Sequence, residues 1–277
     1  MSIKDEKKRV KALNKEQLAK IKAERLGMRR NYGEMKAAYK CAKARRHEEL
    51  LEYSRAERAA AGKPLRDPPK RGLLEEIGNS TTHGVGAVFA IVALVLMCIR
   101  ADGARAYVGA ALYSFGLFTM FTMSCLYHSF RHGSAVKRLF RRFDYSCIYL
   151  LIGATFAPIL LAYVENFTLG LVFLIIQWAV IATGISLVGV FGPARLRFIH
   201  IPLYLVLGWC GVFFIPEMIM RGDLYLLGFI LGGGVVYSLG LIPFMLKKKV
   251  AHFIWHFFVL AGAVVQWVGV FITIYPG

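Results

Sequence analysis

This chain of 277 residues has few acidic residues, and its cysteines do not have the close spacing of a disulfide or zinc motif. It carries only 17 Asp and Glu against 35 Lys and Arg, and its five cysteines include no C-x-x-C pair. The missing cysteine pattern excludes a disulfide framework and a zinc knuckle. Charge of either sign is also sparse after residue 71, where 13 Lys or Arg and 7 Asp or Glu remain. With 57% hydrophobic residues overall, this composition excludes a soluble globular enzyme and excludes disorder over residues 72–277.

From residue 83 onward, the sequence contains seven apolar runs that are separated by short polar hinges. Each run is about 20 residues long, the length that a helix needs to cross a bilayer. The sequence therefore predicts an all-α fold, an integral membrane bundle of seven transmembrane helices within residues 72–277. The predicted spans cover residues 83–99, 106–130, 143–164, 168–191, 198–216, 224–246 and 250–275.

The distribution of positive charge predicts the orientation of this bundle. With the N-terminus in the cytoplasm, the inner segments hold 32 of the 35 Lys and Arg residues, and only Arg100, Arg105 and Arg221 lie outside. We therefore expect a cytoplasmic N-terminus and an outer C-terminus. The first apolar run has no short basic segment before it and no A-x-A cleavage site, so no cleavable signal peptide is expected. The compact membrane part favours a bacterial plasma membrane.

Residues 1–71 form a basic arm with 22 Lys or Arg and 10 Asp or Glu. The pattern predicts charged helix interrupted at Gly27, Gly33 and Gly62, followed by a rigid Pro-rich linker over residues 64–70. One interpretation is a solvated cytoplasmic arm, available to a cytoplasmic protein. Another is a basic helix that lies on anionic lipid headgroups. Nucleic-acid binding is not expected, because no stacking aromatic residues alternate with the basic ones.

Small residues are expected to bring the membrane helices together, because lipid gives apolar helices no hydrophobic reason to associate. The predicted bundle contains 24 of the 27 glycines. Gly228 and Gly232 form a G-x-x-x-G motif on the sixth span, which predicts close helix packing at that pair.

Ionisable side chains near the spans gather at one level of the predicted bundle. Such residues are costly in a membrane and usually mark a functional site. With the expected topology, each lies at the cytoplasmic end of its helix. They are Glu75, Glu76, His83, His128, Asp144, His200, His252 and His256.

Three of these histidines have the spacing of a metal site. His252 and His256 are four residues apart and project from one face of the last span, and His128 lies near the end of the second span. Three neutral imidazoles and a water match a zinc site with one open position. Ser124, one turn before His128, is placed to bind that water or a substrate carbonyl. Asp144 fits a role in orienting a ligand imidazole or holding the water.

Simpler interpretations of the same residues stay open at this level. A histidine pair with this spacing near a membrane surface is also typical of an interfacial polar pair. Asp144 is close in sequence to Arg141 and Arg142, which is compatible with a simple ion pair. The convergence of three histidines, one serine and one aspartate from three helices favours the metal site.

Four motifs together resemble the hemolysin III branch of the progestin and adipoQ receptor family, and more broadly the seven-helix membrane hydrolases that include alkaline ceramidases. The motifs are Glu76-Asn79-Thr82-His83, Ser124-His128, Arg142-Asp144-Tyr145 and His252-His256, in the order of spans 1, 2, 3 and 7. The resemblance extends over residues 72–277. The basic arm is longer than is usual for bacterial members, and Gln266 stands where many of them have another histidine.

This resemblance implies Zn²⁺ as the cofactor, with specific roles for the residues that match the motifs. His128, His252 and His256 would bind the metal, and Ser124 and Asp144 would support these ligands or bind the metal's water. By position, three residues of the first-span motif would brace the site or its rim: Glu76, Asn79 and His83.

The sequence therefore leaves three alternative functions. The first is a zinc-dependent hydrolase that cleaves an amide or ester of a membrane lipid, with Ser124 and Asp144 as catalytic residues. The second is a lipid-sensing or membrane-homeostasis receptor in which the zinc is structural and the lipid is a ligand. The third is cytolysis, as the family label indicates, although the spans have no polar stripe through their outer half that would line a pore.

Overall fold

The computed structural model describes residues 3–27, 32–60, 69–246 and 248–276, and every regular element within these ranges is a helix. The predicted all-α class is thereby confirmed. The chain divides into two compact units, Met1–Asp67 and Pro68–Gly277.

The first unit is a helical hairpin. Helix α1 spans Ile3–Gly27, helix α2 spans Tyr32–Ala60, and the two pack against each other. Lys7 Nζ lies 3.3 Å from Glu57 Oε2, and Asn14 donates a hydrogen bond to Glu49. Because the α2 partners descend in number as the α1 residues ascend, the helices are antiparallel.

The helix boundaries of the arm agree with only one of the predicted breaks. Helix α1 ends at Gly27, as predicted, whereas α2 already begins at Tyr32 and includes Gly33. The prediction of a break at Gly33 is therefore wrong. Gly62 and most of the predicted linker over residues 64–70 lie outside the described residues.

Seven helical spans within the described residues are long and apolar enough to cross a membrane, one for each predicted run. They are α3 (Leu73–Arg100), α4 (Gly103–Ser129), α5 (Ala135–Pro158) with a π-helical turn (Ile159–Tyr163), α6 (Phe167–Phe191), α7 (Arg197–Trp209) continued by a 3-10 turn (Cys210–Phe214) and α8 (Ile215–Met220), α9 (Leu224–Met245), and α10 (Ala251–Ile274). The predicted seven-helix membrane protein is confirmed.

Two of these helices begin well before their apolar runs. Helix α3 starts at Leu73 and α5 at Ala135, whereas the apolar runs start at residues 83 and 143. Ser134 caps α5 by accepting a hydrogen bond from the backbone N–H of Lys137, 3.0 Å away. The added turns extend both helices through polar sequence, which hydropathy does not assign to a span.

Within the second unit, the helices from α3 to α6 each pack on the next one in sequence, whereas α7 packs on α5 and α9. Helix α4 packs between α3 and α5, and α10 packs on both α3 and α9. The first turns of α3, α5 and α10 therefore meet the last turns of α4 at one end of the bundle. The outer faces carry exposed apolar side chains such as Val88, Ile175 and Ile242, as expected for contact with lipid.

Glycines provide close helix contacts, although not at the predicted pair. A Cβ atom at Gly116 on α4 would overlap α5, and one at Gly233 on α9 would overlap Gln266 on α10. Among the described residues, a Cβ at Gly228 would meet no atom within 4 Å, and one at Gly232 would meet a single atom at 3.9 Å. The prediction of close packing at Gly228 and Gly232 is wrong, because the register of α9 turns Gly233 toward α10 instead.

The turn before α10 is strained. Val250, which precedes the first residue of α10, has φ of 66°, in the left-handed region that β-branched residues rarely adopt. Such backbone persists only where the surrounding structure determines it. The turn fixes where α10 starts, and His252 lies in the first turn of that helix.

Candidate metal centre

Four helices bring their polar side chains together at one end of the bundle. Every residue predicted for the site belongs to this group: Glu76, Asn79 and His83 on α3, Ser124 and His128 on α4, Asp144 on α5, and His252 and His256 on α10. All are buried except Glu76 and His252, which are half-buried. Side chains from four separate stretches of sequence thus share one polar region.

The three predicted metal ligands form a histidine cluster, consisting of His128, His252 and His256. One ring nitrogen from each lies within 4.8 Å of the others. The ring centroid of His256 is 4.7 Å from that of His128 and 4.9 Å from that of His252. The three nitrogens are close enough to hold one metal ion.

The hydrogen bonds of the histidine cluster fit a metal. His128 Nδ1 lies 2.6 Å from Glu76 Oε2, and His256 Nδ1 lies 3.2 Å from the backbone carbonyl oxygen of Asn79. Each Nδ1 therefore carries the proton and donates it, which leaves Nε2 with a free lone pair. Within the described part of the chain, the buried Nε2 atoms of His128 and His252 have no hydrogen-bond partner. In metal-binding histidines, one ring nitrogen typically donates a hydrogen bond to a carboxylate or carbonyl oxygen, and the other ring nitrogen is free to bind the metal.

Two further residues of α3 contact the histidine cluster. The His83 ring stacks on His256, with ring centroids 3.8 Å apart and planes 22° apart. The Asn79 side-chain nitrogen lies 3.3 Å from His128 Nδ1. The stacked His83 ring restricts the orientation of the His256 imidazole, and the Asn79 amide packs beside the His128 ring.

Lys137 belongs to the site but was missed by the sequence analysis. Its side chain is 1% exposed, and Nζ lies 2.9 Å from Glu76 Oε1 and 3.0 Å from the carbonyl oxygen of Phe130. Glu76 therefore bridges His128 and Lys137 with its two carboxylate oxygens. In the sequence, Lys137 is one of several basic residues in a polar hinge, where it indicated only the cytoplasmic side. The early start of α5 is what places it inside the bundle.

Ser124 and Asp144 form a polar pair beside the histidine cluster. The Ser124 hydroxyl, the His128 ring and the Arg141 guanidinium all lie within electrostatic range of the Asp144 carboxylate. Arg142 does not pair with Asp144 in the way that the simpler interpretation proposed. Its guanidinium instead donates a hydrogen bond to the Gly189 carbonyl oxygen, at 2.9 Å.

Two of the polar residues noted in the sequence have partners of their own elsewhere. Glu75 Oε1 lies 3.2 Å from Arg71 Nη1. His200 Nδ1 lies 2.9 Å from the Tyr149 hydroxyl. Neither residue is among the contacts of the histidine cluster described above.

An apolar cavity adjoins the histidine cluster. It has a volume of about 90 Å³ and is lined by residues of α4, α5, α7, α9 and α10. Trp255, which lines the cavity, precedes His256 in sequence, and Phe244, which also lines it, has its ring 6.1 Å from that of His252.

The fold and the site define a class, a multi-pass membrane protein with a buried histidine cluster at one end of a seven-helix bundle. Residues 71–267 match the family described as haemolysin-III related. The chain is 34% identical over 206 residues to hemolysin-3 of Bacillus cereus, an alignment that covers 73% of this chain and 93% of the relative. It is 34% identical over 197 residues to a hemolysin-3 homolog of Bacillus subtilis (strain 168), covering 69% and 90%.

A more distant relative is the monocyte to macrophage differentiation factor of Homo sapiens, 26% identical over 209 residues, which cover 73% of this chain and 85% of the relative. The chain belongs to the haemolysin-III-related family, in the hemolysin III branch of the progestin and adipoQ receptors. This confirms the resemblance inferred from the four motifs.

We predict that Glu76→Gln weakens metal binding, because a neutral amide is a poorer acceptor for the His128 Nδ1 proton and a poorer partner for Lys137. Loss of such a partner typically lowers metal affinity about 10- to 100-fold. Affinity for Zn²⁺ and Co²⁺ is measured on the purified protein by competition with a chromophoric chelator. Glu75→Gln is the matched control, since Glu75 pairs with Arg71 instead, and it should bind as wild type. Equal affinities for the two variants would contradict the assigned role of Glu76.

Proposed function

We propose that the protein is a zinc-dependent membrane hydrolase that cleaves an amide or ester bond of a membrane lipid. The observation that carries the proposal is the histidine cluster, whose three ring nitrogens lie within 4.8 Å of one another. The buried Asp144 lies within electrostatic range of His128, one member of this cluster. Three imidazoles suit Zn²⁺, whereas Mg²⁺ and Ca²⁺ prefer oxygen ligands. His128, His252 and His256 would hold the metal.

When bound, Zn²⁺ supplies a Lewis acid that polarises a carbonyl oxygen and makes water more acidic. The Asp144 carboxylate takes a proton from the attacking water at one oxygen and returns it to the leaving amine or alcohol. In this mechanism, the Ser124 hydroxyl donates a hydrogen bond to the Asp144 carboxylate and orients it for the proton transfer. Burial of both side chains keeps bulk water away from this proton transfer. The products are a fatty acid and the amine or alcohol part of the lipid.

The adjoining cavity suits the acyl chain of such a lipid. Its lining is mainly aliphatic and aromatic, with a few polar groups that include Thr155, Ser238 and Gln266. Trp255 and Phe244 connect this lining to the histidine cluster. A chain held in the cavity would present its carbonyl carbon at the polar end of the bundle, near Asp144.

We infer that this polar end faces the cytoplasm, so that the lipid enters from the inner leaflet. The inference is supported by the excess of Lys and Arg on the segments that share this end. The Bacillus relatives support a bacterial plasma membrane as the location.

A lipid receptor with a structural zinc is the second candidate, and the contacts around Glu76 favour it. Glu76 on α3 binds side chains of α4 and α5, and His256 on α10 binds the α3 backbone. A metal held by the histidine cluster would complete a tie among four helices. Occupancy of the cavity, rather than turnover, would then be the signal. The lysis in the names of the Bacillus relatives is a weaker candidate, because the polar residues gather at one end.

We predict that Asp144→Asn lowers kcat about 10²- to 10⁴-fold without loss of metal, because an amide cannot accept the proton. Fatty acid release from ceramides and lipid esters is measured with the protein in nanodiscs, together with its metal content. Asp102→Asn, at the start of α4 and at the other end of the bundle, is the matched control and should retain activity. Wild-type protein with full metal content that hydrolyses none of these lipids would refute the enzyme and leave the receptor.

We predict that Gly208→Phe shortens the acyl chain that the protein accepts. Gly208 lines the cavity, and a Cβ there would meet no described atom within 4 Å, so the ring enters free space. Activity on long-chain substrates should fall about tenfold or more, with short-chain substrates largely unaffected. Gly189→Phe is the matched control, since Gly189 is exposed on α6 and also has free space. An equal loss for both chain lengths would argue against the cavity as the acyl site.

A further inference from the structure

Lysines line one side of helix α1 in the hairpin. Five lysines are all exposed, and their spacing of three, four or seven residues places them on one face of the helix. They are Lys4, Lys8, Lys11, Lys15 and Lys22, and together they form the lysine face. At a rise of 1.5 Å per residue, this face extends over about 27 Å.

The lysine face lies beside the surface through which α1 packs on α2. Four of its members each come one residue after a buried or half-buried position, namely Lys7, Val10, Asn14 and Ile21. One residue corresponds to a rotation of about 100° around the helix axis. The lysine face is therefore turned to the side of the hairpin rather than away from α2.

Helix α2 shows the same offset. Lys40 and Lys43 are exposed, and they follow the half-buried residues Tyr39 and Ala42. In an antiparallel pair, an equal rotation from the packed surface leads to the same side for both helices. Lys40 and Lys43 therefore extend the lysine face across the hairpin.

The other side of α1 carries charges of both signs. Arg9 Nη2 lies 3.8 Å from Glu6 Oε1, and Lys20 Nζ lies 3.3 Å from Glu16 Oε1. Basic residues on this side are thus offset by carboxylates of the same helix. The hairpin has a positive side and a mixed side, whereas a merely solvated arm has no need to separate them.

We propose that the lysine face binds the anionic headgroups of the membrane that the same chain spans. A flat row of ammonium groups complements a plane of phosphate oxygens, and each Lys near such a surface adds to the attraction. Residues 61–72 connect α2 to α3, and a chain of that length reaches at most about 40 Å. The tether keeps the hairpin close to the bilayer surface, which raises the effective concentration of headgroups around it.

Amine acylation of the full-length protein, read out by mass spectrometry, tests the proposal. Neutral nanodiscs of phosphatidylcholine are compared with discs that also contain phosphatidylglycerol. Acylation of Lys8, Lys11 and Lys15 should fall about fivefold or more in the anionic discs and recover at high salt. Lys20, on the mixed side, is the internal control and should be acylated equally in both. Equal acylation of the lysine face in both lipids would overturn the proposal.

A pair of charge-matched variants separates the face from net charge. The triple variant Lys8→Gln/Lys11→Gln/Lys15→Gln removes three charges from the lysine face, and Arg9→Gln/Lys20→Gln/Arg45→Gln removes three from exposed positions off that face. Protection of the remaining Lys4 and Lys22 should be lost in the first variant and kept in the second. Loss in both would show that bulk charge is responsible. Protection seen in native membranes but not in anionic discs would point to a protein partner instead.

Discussion

The site depends on one half-buried carboxylate, that of Glu76. Glu76 Oε2 accepts a hydrogen bond from His128 Nδ1–H, and Glu76 Oε1 accepts a hydrogen bond from Lys137 Nζ. Buried charges are stable only when they are paired, and removal of one partner leaves the other uncompensated. Helices α3, α4 and α5 must therefore be assembled together for any of the three side chains to be satisfied. The same contact selects the His128 tautomer that leaves Nε2 free, so the metal-binding geometry follows from it.

Hydropathy and residue spacing predicted much of this arrangement. The seven spans follow from the apolar runs, and the histidine cluster follows from the spacing of His252 and His256 together with His128. Lys137 was missed because its helix starts in polar sequence, where a lysine indicates topology rather than burial. The close contact at Gly233, in place of Gly228 and Gly232, depends on the rotation of α9, which a motif does not specify. The cavity likewise depends on how side chains from five helices pack.

The chain combines a basic N-terminal arm with an apolar bundle. In the account proposed above, the two parts make two kinds of contact with the same membrane. The bundle presents apolar side chains to the hydrocarbon core and collects its polar residues at one buried end. In the account proposed above, the hairpin meets the headgroups through its lysine face. The family match begins at residue 71, so the relatives imply nothing about the hairpin. Its role has to be inferred from its own residues.

Elemental analysis of the purified protein tests the central claim, a metal held by the histidine cluster. The account predicts about one zinc ion per chain in the wild type. It predicts loss of that zinc in His128→Ala and in His252→Ala/His256→Ala, but not in His200→Ala, which removes a buried histidine bonded to Tyr149. Unchanged metal in the cluster variants, or none in wild-type protein purified without chelator, would contradict the account.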